Sequence, residues 1–155
     1  GHINGEFGTV GAVPVHYLRR SLPIEELVAY YLAADVMLVT PFRDGMNLVA
    51  KEYVASRKTE TGVLVLSEFT GSAVELDRAV LVNPHDIDGM AATIETAIGM
   101  PRQEQTRRMR SLRQRVRKRT VYTWASDFTH ALDAEQPRPS SATMQLPIGT
   151  NPPTS

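Results

Sequence analysis

The sequence predicts an α/β fold, with a parallel sheet and helices on both of its faces. Three observations carry that expectation. Short, continuously apolar runs recur at residues 36–39, 63–66 and 80–82, the pattern of strands buried on both sides. The segments between them include stretches with apolar residues at helical spacing. Polar turns rich in Gly, Pro, Asn and Asp separate the two, as in alternating βα units.

Taken in order, residues 13–18 (Val-Pro-Val-His-Tyr-Leu) read as a strand or extended segment, with Pro14 best placed at its start. A helix is expected from 24 to about 34. Ser21 or a neighbour would cap it, and Glu25 and Glu26 suit its first turn. Leu27, Tyr30, Tyr31 and Ala34 should form its buried stripe. The apolar run 36–39 reads as a central parallel strand. The next helix spans 48–57, with apolar positions Leu48, Val49, Tyr53 and Val54, and a polar turn follows over 57–62. A second buried strand covers 63–66, a short helix 71–76 and a third strand 80–82. Asp86 is placed to cap a helix over 87–98, stopped by Gly99 and Pro101. Further helices are expected over 103–119 and 121–134. In the last one, Val121, Trp124, Phe128 and Leu132 fall at helical spacing. Residues 136–155 hold five of the ten prolines with little to bury, the composition of a disordered tail.

At 155 residues the chain has room for one packed domain, here 1–134, followed by the tail over 135–155. It has no cysteine, no signal-peptide pattern and no apolar run near the ~18 residues that span a bilayer. A cytoplasmic protein without a membrane partner is the simplest expectation. Seventeen basic residues balance seventeen acidic ones, yet eight of the basic ones crowd between Arg107 and Arg119. Such a run is either a phosphate-contacting surface or a solvated helix face. The absence of interleaved aromatic residues argues against a nucleic-acid stacking platform, and no nucleic-acid partner is expected. The four histidines show no metal-ligand spacing, and no nucleophile elbow or P-loop is present.

The chemistry concentrates in Thr-Pro-Phe-Arg-Asp-Gly-Met-Asn-Leu-Val-Ala-Lys-Glu-Tyr-Val-Ala, residues 40–55. A strand enters a tight turn and a helix opens at Asn47 or Leu48. Unpaired N–H groups and the helix dipole then favour a phosphate. Asp44 lies at the carboxyl end of the strand, where open α/β sheets bind ligands. It reads as an acceptor for sugar hydroxyls, or as a turn residue or cap. Gly45 permits the turn and a close approach, while Met46 and Asn47 can present backbone N–H groups. Asn47 also suits an N-cap. Glu52 can accept from the vicinal hydroxyls of a ribose, or pair with Lys51 or Arg57. Arg43 can reach a phosphate or pair with Glu68, and His2, His16 and His85 read as structural or surface residues.

Residues 40–55 resemble the donor-site motif of the trehalose-6-phosphate synthase family, the GT-B glycosyltransferases of family 20. So do Gly1-His2-Ile3-Asn4-Gly5, Phe7-Gly8, residues 14–18, 63–71 and 81–86, and the similarity covers roughly residues 1–133. The resemblance implies a Rossmann-like domain, the C-terminal half of a GT-B enzyme, incomplete at its own N-terminal end. With Gly1 rather than Met at its start the chain is expected to be processed, tagged or a fragment, and the resemblance implies a fragment.

The activity implied is transfer of glucose, with retention, from a nucleotide-glucose such as UDP-glucose to glucose 6-phosphate bound by a preceding domain. No cofactor, metal or covalent protein nucleophile is implied. Asp44, Gly45, Met46 and Asn47 would serve the donor glucose and diphosphate. Leu48, Val49, Ala50, Lys51 and Glu52 would border the nucleotide, with Lys51 in a supporting place. Leu22 and Leu27 would border the base. Two positions depart from the family pattern: Leu22, often aromatic, and Phe42, commonly Leu. A glucosylglycerol-phosphate synthase-like transferase and a non-catalytic nucleotide-sugar-binding module remain alternatives. The identity of the base stays open, and a homo-oligomer is possible.

Overall fold

The computed structural model describes residues 1–9 and 11–118. The helix expected over 121–134, with Trp124, and the tail over 135–155 lie outside the described residues. Three strands, β1 (Val36–Val39), β2 (Val63–Ser67) and β3 (Val80–Val82), form a parallel sheet in the order β1-β2-β3. Among the described residues six helices accompany it: α1 (His2–Phe7), α2 (Ile24–Ala33), α3 (Leu48–Ser56), α4 (Ser72–Glu75), α5 (Ile87–Ile98) and α6 (Arg102–Lys118).

The pleat of β2 divides the core in two, because successive side chains point to opposite faces. Leu64 and Leu66 turn towards α2, α3 and α6 and pack with Tyr31, Tyr53, Val54, Met109 and Leu112. Val63 and Val65 turn the other way, towards Val82 on β3 and Ala97 on α5. All five residues of β2 are buried. Each fully buried Leu or Val contributes about 1.5–3 kcal/mol relative to exposure, so β2 is the axis of the domain.

Several expectations change. The strand read as central, β1, lies at an edge of the sheet, and Leu38 is 43% exposed. Four apolar residues in a row report burial pressure but not which neighbour supplies it. Residues 13–18 join no sheet: Val13, Val15, Tyr17 and Leu18 are exposed. The Asn4 amide holds this extended segment, donating to the Val15 carbonyl at 2.7 Å and accepting from its N–H at 2.9 Å. An amide can imitate the two bonds of a strand partner. Among the described residues no side chain caps α2. Pro23 occupies the N-cap position, Ser21 makes no cap bond, and Glu25 and Glu26 complement the dipole instead. Tyr30 is exposed, leaving Tyr31 as the buried ring of the stripe. Asp86 caps α5 as expected, accepting from the Gly89 N–H at 2.9 Å.

Candidate functional site

The turn after β1 is built on Asp44. One carboxylate oxygen, Oδ1, accepts from the Gly45 N–H at 2.7 Å and the other, Oδ2, from the Asn47 amide at 2.6 Å. The Asn47 Oδ1 accepts in turn from the Ala50 N–H at 3.0 Å, which makes it the N-cap of α3. To do both, Asn47 adopts a left-handed conformation (φ 47°), which Asn tolerates better than most residues. Asn47 is buried while Asp44 and Gly45 are exposed. The cap satisfies Ala50, whereas the N–H groups of Leu48 and Val49 have no acceptor among the described residues. Two aligned donors and the positive end of a helix of nine residues therefore open beside an exposed carboxylate.

The loop between β2 and α4 pins this turn from below. Gly71 donates to the Gly45 carbonyl at 2.9 Å, and Asp44 forms a bridge with Thr70. A Cβ on Gly71 would meet the Gly45 oxygen at 2.8 Å, so only glycine allows this approach. Around the same strand ends, His85 packs against Phe42 and Phe69, with ring centroids 4.8 and 5.6 Å apart. That gives His85 a packing role. His2 lies beside Glu6 on α1.

Glu52 lies four residues beyond Leu48, about 6 Å along the helix axis at 1.5 Å per residue. It is exposed, and it accepts a 3.0 Å hydrogen bond from the Tyr31 hydroxyl of α2. Neither expected cation holds it. Lys51 reaches Glu75 at 2.7 Å and ties α3 to α4. Arg57, read only as a turn residue or a partner of Glu52, is buried. Its guanidinium donates to the carbonyls of Tyr31, Leu32 and Thr61. Leu27 packs into the core beside Tyr31, and Leu22 is half-buried in the segment before α2. Met46 is half-buried, Ala50 is buried, and Leu48 and Val49 are exposed.

The turn thus unites Asp44, Gly45 and Asn47 with the start of α3, while Glu52 belongs to the α2–α3 side. Sequence reasoning missed Tyr31 as a partner of Glu52. The two are 21 positions apart on separate helices, so no local spacing signals their meeting.

The basic run on α6 is largely occupied by the protein itself. Glu104 takes Arg107 and Arg108, Glu60 takes Arg110, and Asp77 takes Arg115. Arg113 is buried and donates to the carbonyls of Val54 and Ala55. Arg110 holds the Glu60 carboxyl below its ordinary range, and Arg107 does the same for Glu104. Among the described residues no three His, Cys, Asp or Glu side chains gather as a metal site. No described helix is long and apolar enough to cross a membrane.

The model of glycosyltransferase family 20 matches residues 1–134. The trehalose-6-phosphate synthase of Mycobacterium leprae is 61% identical over 137 residues, which are 88% of this chain and 27% of that protein. Two solved structures have the same α/β core and a GT-B-like fold. The UDP-forming α,α-trehalose-phosphate synthase of Burkholderia xenovorans, in complex with glucose 6-phosphate, is 44% identical with a TM-score of 0.79. It covers 85% of this chain and 29% of its own. The Escherichia coli protein bound with UDP-2-fluoro glucose is 42% identical with a TM-score of 0.79, covering 89% and 31%. The chain therefore spans under a third of the length of these relatives, and it belongs to glycosyltransferase family 20.

Proposed function

We propose that this chain is the donor-binding part of a trehalose-6-phosphate synthase. The whole enzyme would transfer glucose from UDP-glucose to glucose 6-phosphate with retention of configuration. The observation that carries this reading is the opening of α3: the N–H groups of Leu48 and Val49, without an acceptor among the described residues, beside the exposed, oriented carboxylate of Asp44. Relatives solved with a UDP-glucose analogue and with glucose 6-phosphate support the choice of substrates.

In this reading the N–H groups of Leu48 and Val49 stabilise the diphosphate, whose negative charge grows as the glycosidic bond breaks. Asp44 keeps lone pairs beyond its two internal bonds for hydroxyls of the glucose. Glu52 accepts from the ribose diol, and Leu22 and Leu27 lie on the side of the base. Lys51 acts through the packing of α3 on α4, since Glu75 holds its ammonium. The residues present supply positioning and charge stabilisation. No metal and no covalent protein nucleophile takes part. The acceptor sugar phosphate would bind a preceding domain, so the isolated chain binds the donor without turning it over.

Calorimetric titration with UDP and UDP-glucose tests the proposal, together with an assay for release of UDP in the presence of glucose 6-phosphate. Binding that weakens in Asp44→Ala and Glu52→Ala, without turnover, is the expected result. A parent chain that fails to bind UDP at millimolar concentration, or one that turns over at ordinary enzyme rates, would sink it.

A further inference from the structure

We infer that Tyr31 is a positioning residue for Glu52: its hydroxyl holds one carboxylate oxygen so that the other faces the diol of a nucleotide's ribose. The inference rests on the ribose role proposed above for Glu52. The Tyr31 hydroxyl donates to Glu52 Oε2 at 3.0 Å, and this is the one hydrogen bond to the Glu52 side chain among the described residues. Donor and acceptor differ sharply in freedom. Tyr31 is 4% exposed, and its ring meets Tyr53 edge-on, with centroids 6.2 Å apart and planes at 78°. Its carbonyl is held by the Arg57 guanidinium at 3.1 Å, and the Tyr53 hydroxyl donates to the Ala34 carbonyl at 3.3 Å. The phenol is therefore fixed by packing on both helices.

Glu52, by contrast, is an exposed side chain beside an open groove of about 460 Å³ between α2 and α3. A free glutamate loses rotamer entropy when it is ordered on a ligand. A rigid donor on Oε2 removes part of that loss beforehand and selects the rotamer. The bond uses one lone pair, leaving Oε1 and the remaining Oε2 lone pair as acceptors. Lys51 and Arg57 do not compete for the carboxylate, because both are engaged elsewhere. Burial, with the bond to Glu52, pushes the Tyr31 hydroxyl up to about 12, so it stays a donor throughout the neutral range.

The test is a set of titrations of the chain with UDP and with its 2′,3′-dideoxy counterpart, which lacks the diol. Tyr31→Phe keeps the ring and loses only the donor, and it is expected to weaken UDP binding about 3- to 10-fold. Binding of the dideoxy nucleotide should not change. The exposed neighbour Tyr30→Phe should match the parent, and Tyr31→Phe should add nothing in a Glu52→Ala background. If Glu52→Ala weakens UDP binding and Tyr31→Phe does not, the positioning role is wrong while the ribose role survives. Equal losses for both nucleotides in Tyr31→Phe would make the tyrosine a merely structural residue and overturn the inference. If Glu52→Ala binds UDP as the parent does, or the parent does not bind it, the ribose role falls and this inference falls with it.

Discussion

The first turn of α3 and the face of α6 are both polar surfaces rich in hydrogen-bonding groups, and they use them in opposite ways. At α3 the Asn47 cap satisfies one donor, leaving those of Leu48 and Val49 without a partner among the described residues. On α6, Arg107 pairs with Glu104 of the same helix, while Arg108, Arg110, Arg113 and Arg115 meet carboxylates or carbonyls outside it. Charge density alone therefore does not single out α6 as a candidate site, whereas unused hydrogen-bonding capacity singles out the start of α3. Arg108, Arg110, Arg113 and Arg115 behave as ties between the helix and the body of the domain. The start of α3 is held rigid from one side and open on the other.

The contrast can be broken most severely at Arg113, the buried member of the α6 set. Arg113→Ala leaves the carbonyls of Val54 and Ala55 without their charged donor and should lower unfolding stability by about 3 kcal/mol, measured by urea titration. UDP affinity of the folded fraction should not change. If instead the stability held while UDP binding disappeared, the division between the two regions would fail.

Gly71→Ala comes next. A Cβ 2.8 Å from the Gly45 oxygen forces the β2–α4 loop away from the turn at Asp44 and Gly45. We expect a loss of about 1–3 kcal/mol, as for other overpacked sites, accompanied by weaker UDP binding. Asn47 sharpens the same point on a smaller scale. Asn47→Ala loses the cap and places Ala in a left-handed conformation, for about 1–2 kcal/mol. Asn47→Gly keeps access to that conformation and should lose only a few tenths of a kcal/mol. A glycine variant as unstable as the alanine variant would show that the side-chain bonds, not the backbone, dominate.

Alkaline pH probes the α2–α3 side. Tyr31 has its pKa raised from 10.0 to about 12, so the unfolded chain loses this proton before the folded one does. The stability this shift contributes is complete below about pH 10 and is lost as pH rises towards about 12. Tyr31→Phe should remove that component from a pH series of thermal melts, and an unchanged alkaline fall would contradict it. The smallest effect is expected at the exposed arginines. Arg107→Ala and Arg110→Ala should leave the melting temperature and UDP binding unchanged, because exposed ion pairs contribute little.

Much of the candidate site's geometry is local in the chain and was legible for that reason. Asp44, Gly45 and Asn47 fall within four consecutive positions, and an Asx turn, a cap and a helix start are all short-range geometry. The caps and bounds of α3 and α5 follow from the same local chemistry. The edge position of β1 was not legible, because an apolar run does not say on which sides a strand is paired. Nor was the fate of the charges. Lys51 with Glu75, Arg57 with Tyr31 and Leu32, and Arg113 with Val54 are contacts between residues 24 to 59 positions apart.

Periodicity, punctuation and the residues of the turn at 44–47 suffice to derive a parallel α/β domain and a capped helix start with free N–H groups. Those features depend on interactions within a few residues, which any chain with this order must make. Which strand forms the axis, which arginines are neutralised, and how Tyr31 meets Glu52 were decided only when the helices packed on the sheet. Those outcomes depend on which distant groups share one desolvated space, where an unpaired charge is costly and a matched donor is not.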